Sequence, residues 1–312
     1  MEPEVVVASR CLLGEAPTWH DDENRVYWTD IRNRQLHRFH PDSGAHETVL
    51  NERLIGAITL ERDGSLLLLG RWGAVHRYRD GSASAVRRID WRHLGFRFND
   101  AIADPAGRVF AGIMAYDADV WRLPGTRTIR RGLRSLGLSR IAGQQRGALC
   151  RLGGGGRIVL LGIGVGRPNG MGFSPDLNWL YVTDSYARRI YAYRYDVDRG
   201  LLTDPRLFLD LSSEPGVPDG LVVDVEGCIW SVRHKAGEVV RYAPNGREVA
   251  RVRFPTPAIT SLAFGGPDKT HLYVTAGGAD DPSRNGALAG AMFRLQSPVA
   301  GGPVWRSSMS HD

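Results

Sequence analysis

Four side chains that carry oxygen ligands occupy matched positions in a set of sequence repeats. Each repeat contains an apolar run, a polar turn that reads Asp-x-x-Gly in its clearest copies, and a second apolar run. When the turns are aligned, Glu15, Asn99, Asn169 and Asp219 fall at the same place, just before the first apolar run. Hard cations such as Ca²⁺, Mg²⁺ and Mn²⁺ prefer carboxylate and amide oxygens. The repeats therefore predict a metal site, provided that the fold brings these side chains together.

The spacing of the repeats predicts that fold. Successive matched positions lie 41, 43, 70, 50 and 41 residues apart. A period in the forties with short apolar runs is typical of a β-propeller with one four-stranded blade per repeat. We therefore predict an all-β, six-bladed propeller that forms a single domain over residues 1–312. The N-terminal segment EVVVAS is expected to supply the outer strand of the last blade. The matched positions are Glu15, Gly56, Asn99, Asn169, Asp219 and Thr260.

The strands of one blade can be predicted in more detail. In the copy that starts near Val217, the predicted strands are 221–224, 228–232, 238–243 and 248–254, because apolar residues alternate between turn residues there. The matched residue starts the innermost strand of each blade, so all six should lie at one end of the channel and face its axis. Asn-Gly and Asp-Gly are also ordinary turn sequences, so each alone would indicate only a turn. Four oxygen-bearing side chains at matched positions favour a metal site.

Four motifs in the predicted register resemble the regucalcin/gluconolactonase family, the senescence marker protein-like sugar lactonases. They are LLGEAPTW, RFNDAIADPAGRVFAG, PNGMGFSPDLNWLYVTDS and PDGLVVDVEGCIW, and the similarity spans roughly Leu12 to Ala276. The resemblance implies one catalytic divalent metal ion at the channel mouth, held by Glu15, Asn169 and Asp219. Ca²⁺ is the expected ion, with Mg²⁺, Mn²⁺ and Zn²⁺ as alternatives.

The resemblance also implies roles for residues around the metal. Asp219 would double as the general base, and Arg97 and Asn99 would line the substrate pocket. Asp117 falls where several sugar lactonases carry a substrate-contacting glutamate, and Tyr116 lies in the same loop. From the predicted strands, the loop RHKAG in blade five is either part of the rim, with Arg233, His234 and Lys235 as three cations, or a solvated turn, and His234 is a candidate substrate contact.

These residues predict a metal-dependent hydrolase of a lactone, either sugar-derived or another small and anionic lactone. A bound metal can polarise the carbonyl and lower the pKa of a coordinated water. No G-x-S-x-G elbow and no HExxH spacing occurs in the sequence, which argues against a covalent serine esterase and a histidine-built zinc site. Two alternatives stay open. The same metal site could serve phosphotriester hydrolysis or a biosynthetic cyclisation, or the propeller could be a non-catalytic, metal-binding interaction module.

The positive charge of the chain is concentrated in one segment. Arg122–Arg146 contains seven arginines and no acid, and without it the net charge changes from +6 to −1. A nucleic-acid partner is therefore not expected, because a binding face would spread its cations. The long 70-residue interval places this segment in an insertion, about 118–146, in blade three near the channel mouth. It is either a cationic lid that favours an anionic substrate or a solubilising loop.

The remaining expectations concern the surroundings of the protein. No apolar run approaches the ~18 residues of a membrane helix, and the N-terminus lacks a signal-peptide pattern, so no membrane partner and a cytoplasmic location are expected. The expected partner is a small-molecule lactone, and the sequence specifies no oligomeric state. The segment at about 298–312, rich in Gly, Ser and Pro, is predicted to be a flexible C-terminal tail.

Overall fold

A computed structural model of the chain describes residues 1–88, 96–115, 147–153, 158–161 and 165–309. Within these residues, β-strands form six four-stranded antiparallel sheets, and the innermost strands pack against one another around a central channel. The predicted six-bladed propeller is confirmed. The insertion at about 118–146, together with Tyr116 and Asp117, lies outside the described residues.

The strands follow the chain in blade order. After β1 (Glu4–Val7), blade I contains β2 (Gly14–His20), β3 (Arg25–Asp30), β4 (Gln35–Phe39) and β5 (His46–Leu50). Blade II contains β6 (Ile55–Leu60), β7 (Leu66–Gly70), β8 (Ala74–Arg79) and β9 (Ser82–Arg88). Blade III contains β10 (Phe96–Ala103), β11 (Val109–Ala115), β12 (Gly147–Leu152) and β13 (Ile158–Leu160).

The second half repeats this order. Blade IV contains β14 (Pro168–Phe173), β15 (Trp179–Asp184), β16 (Arg189–Asp196) and β17 (Leu201–Asp210). Blade V contains β18 (Val217–Val223), β19 (Ile229–His234), β20 (Glu238–Tyr242) and β21 (Glu248–Arg253). Blade VI contains β22 (Ile259–Gly265), β23 (His271–Ala276) and β24 (Met292–Gln296), with the short helix α1 (Pro282–Asn285) before β24. Among the described residues, no helix is long and apolar enough to cross a bilayer.

The N-terminal strand closes the ring, as the sequence predicted. Strand β1 pairs antiparallel with β24, with Val5 opposite Phe293, and forms the outer edge of blade VI. The last blade is therefore built from both ends of the chain. This pairing holds the first and last blades together through a ladder of backbone hydrogen bonds.

The apolar residues of the middle strands are buried on both faces because each blade is covered by two neighbours. In β19, Trp230 and Val232 pack against Phe264 and other residues of blade VI. Ile229, on the opposite face, packs against Ile190 of blade IV. Successive side chains in a strand point to opposite faces, so one strand contributes to two inter-blade cores. This arrangement fixes the angle at which each inner strand meets the channel.

Up to Met309, the C-terminal segment packs against the propeller, so the prediction of a flexible tail is wrong there; residues 310–312 lie outside the described residues. Gly301 bridges to Asp224 of blade V, and Arg306 forms an ion pair with Asp22 of blade I at 2.7 Å. Ser307 and Met309 are almost completely buried, at 0% and 2% exposed. The segment thus crosses the lower end of the channel, the end opposite to the starts of the inner strands. Its glycines and serines show no strand periodicity because its contacts are made by single residues with different blades.

Candidate functional site

Every innermost strand is irregular at the position that the repeats align. A β-bulge adds an extra residue to one strand and changes the direction of its side chains. Here the bulges place the matched residues at the upper end of the channel, where the inner strands begin. The six register shifts lie between Glu15 and Thr18, Ile55 and Ala57, Phe98 and Ala101, Pro168 and Met171, Pro218 and Leu221, and Ile259 and Leu262.

The Asn-Gly and Asp-Gly pairs lie inside strands rather than in turns. A Cβ atom on Gly170 would lie 1.9 Å from the backbone nitrogen of Leu221, and one on Gly220 would lie 2.5 Å from the Cα of Ser261. Both distances are far below contact, so these glycines allow adjacent inner strands to approach. The glycine after Asn169 and Asp219 is thus a requirement of packing around the channel.

A buried aspartate in blade IV fixes the loop that leads to Asn169. Asp184, at the end of β15, accepts hydrogen bonds from the backbone N–H of Gly166 at 2.7 Å and of Arg167 at 3.0 Å. Asp30 has the same position in blade I and accepts from the backbone N–H of Leu12 and Leu13 at 2.8 and 3.1 Å. This pair of aspartates was not predicted, although a repeated Thr-Asp at the end of β3 and β15 marks it in the sequence.

Two of the predicted metal ligands are in direct contact. The Nδ2 of Asn169 donates to Oδ1 of Asp219 and to Oγ of Ser185, the latter at 3.2 Å. The Nδ2 of Asn99 donates to the carbonyl of Pro168 at 2.9 Å. Since these amide NH₂ groups are used by protein acceptors, the Oδ1 atom of each amide is the oxygen available to a ligand.

The carboxyl groups near the channel axis repel one another. The pKa of Glu15 is raised well above its ordinary value by burial and by the charges of Asp219 and Asp100. Burial also raises the pKa of Asp219, although the charges of Arg167 and Arg97 act in the opposite direction. Burial and the charge of Asp219 raise the pKa of Asp100 to about 7. Such a group of carboxyls is stabilised by a cation placed among them.

The oxygen atoms of Glu15, Asn169 and Asp219 suit a hard cation that accepts neutral as well as charged ligands. Among the described residues, no three His, Cys, Asp or Glu side chains form a ready ligand set. The proposed set instead combines the carboxylates of Glu15 and Asp219 with the amide oxygen of Asn169, a mixture that suits Ca²⁺ in particular. Thr260 is not part of it, because its hydroxyl donates to the carbonyl of Gly14 at 2.5 Å and is completely buried.

The predicted substrate contacts have different positions. Arg97 is buried, donates to the carbonyl of Phe98 at 2.8 Å, and acts electrostatically on both Glu15 and Asp219. His234 lies at the upper end of β19, where its Nδ1 is 2.9 Å from the carbonyl of Ile259. Burial lowers the pKa of His234, so the ring is neutral near pH 7 and does not add a cation to the rim.

The prediction of three rim cations in blade V is wrong for Arg233. Its side chain is 0% exposed, because β19 extends to His234, two residues beyond the predicted strand. Two charged residues beside the predicted site residues were not predicted as part of the site. Asp100 follows Asn99 in the same bulge, and Arg167, which is exposed, precedes the PNG motif and acts on both Asp219 and His234.

Known proteins resemble this chain over nearly its whole length. Residues 13–278 match the family model described as the SMP-30/Gluconolactonase/LRE-like region. The chain is 42% identical over 311 residues to pentonolactonase XacC of Haloferax volcanii, with 97% of each chain covered. It is 30% identical over 302 residues to the 6-deoxy-6-sulfogluconolactonase of Pseudomonas putida, with 95% of each covered. Regucalcin from Agrobacterium tumefaciens, a solved structure described as a calcium-binding protein, superimposes with a TM-score of 0.81 at 27% identity, covering 97% of this chain and 96% of that one.

Proposed function

Since the chain belongs to the SMP-30/gluconolactonase/LRE-like family, we propose that it hydrolyses the lactone of a sugar acid with the help of a divalent cation. The observation that carries this proposal is the contact between Asn169 and Asp219, next to the mutually repelling carboxyl groups of Glu15 and Asp100. The relative that is 42% identical is named as a pentonolactonase, which supports an aldonolactone as the substrate class.

Glu15, Asn169 and Asp219 would hold the cation. Ca²⁺ is the ion that we propose first, with Mg²⁺, Mn²⁺ and Zn²⁺ as alternatives. When bound, it would polarise the lactone carbonyl and lower the pKa of a coordinated water. The family likeness to a calcium-binding regucalcin and the mixed carboxylate and amide donors support this assignment.

Asp219 is the proposed general base. Its Oδ1 accepts a hydrogen bond from Asn169, which fixes the orientation of the carboxylate and leaves its second oxygen for a proton. The nearby charges of Arg97 and Arg167 favour the ionised form that a base requires. Asp219 would take a proton from the attacking water and release it as the ring opens.

Arg97, Asn99 and Arg167 are proposed to bind the substrate. Ring opening converts a neutral lactone into a carboxylate, so cations near the reacting ester stabilise the charge that develops. Arg97 is well suited because it is buried and fixed by the carbonyl of Phe98. His234 would contribute a neutral ring at the rim, and Tyr116 and Asp117 remain proposed contacts outside the described residues.

The arginine-rich insertion is proposed to favour anionic lactones. Seven arginines in Arg122–Arg146 form a concentrated positive charge, and charge of one sign near a binding site raises the local concentration of oppositely charged substrates. The relative from Pseudomonas putida is named for a lactone that carries a sulfo group. Deletion of residues 122–146 should raise KM for anionic lactones more than for neutral ones, and an equal effect on both would contradict this role.

A panel of lactones tests the activity. Neutral pentonolactones and hexonolactones and acidic lactones would be assayed after EDTA treatment and again after addition of Ca²⁺, Mg²⁺, Mn²⁺ or Zn²⁺. We expect hydrolysis of at least one aldonolactone that is lost with EDTA and restored by one of the ions. Retention of full activity after complete metal removal would contradict the metal-dependent mechanism, and inactivity towards the whole panel would contradict the substrate class.

A further inference from the structure

Arg233 is a completely buried cation whose guanidinium has no hydrogen-bond partner in the part of the chain that the structure describes. It lies on β19 opposite Pro218 of β18, and its side chain is 0% exposed. Its Nε, Nη1 and Nη2 atoms all lack a partner among the residues that the structure describes. Most buried polar groups are hydrogen-bonded, and a guanidinium remains charged in proteins. An unpaired buried guanidinium therefore indicates a partner other than these protein groups.

The surroundings of Arg233 belong to the contact between blades IV and V. Arg233 and Ile229 lie four residues apart on β19, so they share a face, and Ile229 packs with Ile190 and Tyr242 in the core between these blades. Arg188 of blade IV donates through Nη2 to the carbonyl of Gly216 at 2.8 Å. This hydrogen bond ties blade IV to the loop that leads into β18. Arg233 is thus enclosed by two blades and one loop.

Two further buried atoms with donor hydrogens near Arg233 lack partners. Among the described residues, neither Nε of Arg188 nor Oη of Tyr242 has a hydrogen-bond partner. Both residues act electrostatically on Arg233, which places them in the same neighbourhood. All of these atoms can donate hydrogen bonds: the three guanidinium nitrogens of Arg233, Nε of Arg188 and the hydroxyl of Tyr242. A set of donors of this kind matches an acceptor that carries negative charge.

The acids in this neighbourhood are paired with other arginines. Arg251 contacts three acids, with Glu214 at 3.4 Å and Glu248 at 2.7 Å, and Glu238 accepts from both Arg251 and Arg253. Arg188 donates to backbone carbonyls instead of acids, so neither Arg188 nor Arg233 has a hydrogen-bonded carboxylate among the described residues. Burial and the neighbouring cations lower the pKa of Arg233, while Tyr242 and Glu214 act in the opposite direction.

We propose that Arg233 binds a chloride-sized monovalent anion between blades IV and V, with Arg188 and Tyr242 as additional donors. A single negative charge compensates the buried Arg233 guanidinium and accepts hydrogen bonds from several directions. Since Pro218 lies opposite Arg233 and immediately before Asp219, the anion also stabilises the strand that carries Asp219. The proposal does not depend on the lactonase activity, because its donors lie between blades IV and V and include none of the proposed metal ligands or substrate contacts.

Anion exchange tests the site in the full-length protein. The protein would be transferred from chloride to methanesulfonate, a larger anion, and chloride titrated back at constant ionic strength while Tm is measured. Chloride at about 100 times its Kd would favour the folded state about 100-fold, which corresponds to a rise of a few degrees in Tm. Arg233→Met should abolish the response, whereas Arg189→Met, which removes an exposed cation paired with Asp210, should keep it.

Bromide gives a second measurement that does not depend on a variant. Crystals of the wild-type protein grown with bromide should show an anomalous peak within hydrogen-bond distance of the Arg233 guanidinium. A Tm that is independent of the anion, an unchanged chloride response in Arg233→Met, or the absence of a peak at Arg233 would each overturn the proposal and assign the position to water.

Discussion

The carboxylates at the two ends of the channel differ in how their charge is compensated. At the lower end, Asp104 accepts from Nε of Arg108 at 2.6 Å and Asp224 accepts from Nε of Arg241 at 2.8 Å. Both also accept backbone N–H groups, and Asp224 accepts the indole N–H of Trp230 at 2.9 Å. Their charge is therefore neutralised within the protein, and both side chains are 0% exposed.

At the upper end the carboxyl groups face one another instead. Glu15 is affected by both Asp219 and Asp100, and the nearby cations Arg97 and Arg167 offset this only in part. Burial of a carboxylate without a matched partner is unfavourable, so a fold keeps such a group where a ligand supplies the missing charge. The difference supports the proposal that the upper group holds a cation, whereas the lower aspartates stabilise loops.

The largest expected effect concerns the base at the upper end. Asp219→Asn should lower kcat for the lactone by about 10³-fold, because it removes both a metal ligand and the proton acceptor. The Tm of the metal-free variant should not fall, since a repelling charge is removed. Asp210→Asn, which alters an exposed acid, serves as the control and should keep full activity. An active Asp219→Asn enzyme would show that the two ends do not differ in function.

The corresponding change at the lower end should act on stability instead. Asp224→Asn leaves the Arg241 guanidinium without its buried partner, and breaking such a pair costs about 3 kcal/mol. Urea unfolding of the metal-free protein measures the loss, and kcat per folded molecule should stay close to that of the wild type. A variant as stable as the wild type would contradict the structural role of Asp224.

The pH dependence of stability distinguishes the two groups further. Raised pKa values in the folded state mean that Glu15, Asp100 and Asp219 hold protons that the unfolded chain has already lost. Stability of the metal-free protein should therefore fall as pH rises from about 4 to about 7. Because these groups are only half-buried, solvent screening limits the loss to on the order of 1 kcal/mol.

A saturating divalent cation should remove this pH dependence. Tm would be measured from pH 4 to 8 with EDTA and with Ca²⁺, since the bound ion favours the ionised carboxylates. Metal-free protein that becomes more stable across this pH range would contradict the assignment of uncompensated charge to the upper end.

The smallest effect is expected at the rim. Arg167→Met should raise KM for an aldonolactone by about 3- to 10-fold with a smaller change in kcat, because an exposed cation contributes about 1 kcal/mol. Arg206→Met, an exposed arginine on the outer strand of the same blade, provides the matched control. Steady-state kinetics of the two variants should differ, and equal KM values would remove Arg167 from the substrate site.

The parts of the molecule that repeat were predictable from the sequence. The period of the matched positions determines the blade number, and the closing strand follows from the apolar run at the N-terminus. The Asn169–Asp219 contact follows from the same symmetry, because both begin inner strands. Positions that depend on a single side chain were not predictable. Arg233 was expected at the rim and is buried, since a two-residue extension of β19 reverses its exposure.

The C-terminal segment illustrates the same limit of sequence patterns. Its contacts with Asp22, Glu61 and Asp224 come from different blades, so no local periodicity marks them. Asp184 accepts a hydrogen bond from the backbone N–H of Gly166, 18 residues earlier in the chain. Asp100 interacts with the charge of Asp219, which belongs to another blade. Local spacing predicts which strands form, whereas the charge environment of a side chain depends on the closed ring.

Calorimetric titration of Ca²⁺ into metal-free wild-type protein and Glu15→Gln tests most directly whether the upper carboxylates hold a cation. We expect one ion per wild-type chain and at least ~10²-fold weaker binding in Glu15→Gln, because loss of one carboxylate removes both a ligand and a charge. Mg²⁺, Mn²⁺ and Zn²⁺ titrations would follow if Ca²⁺ does not bind. Absence of binding for all four ions, or equal affinity in the variant, would contradict the account.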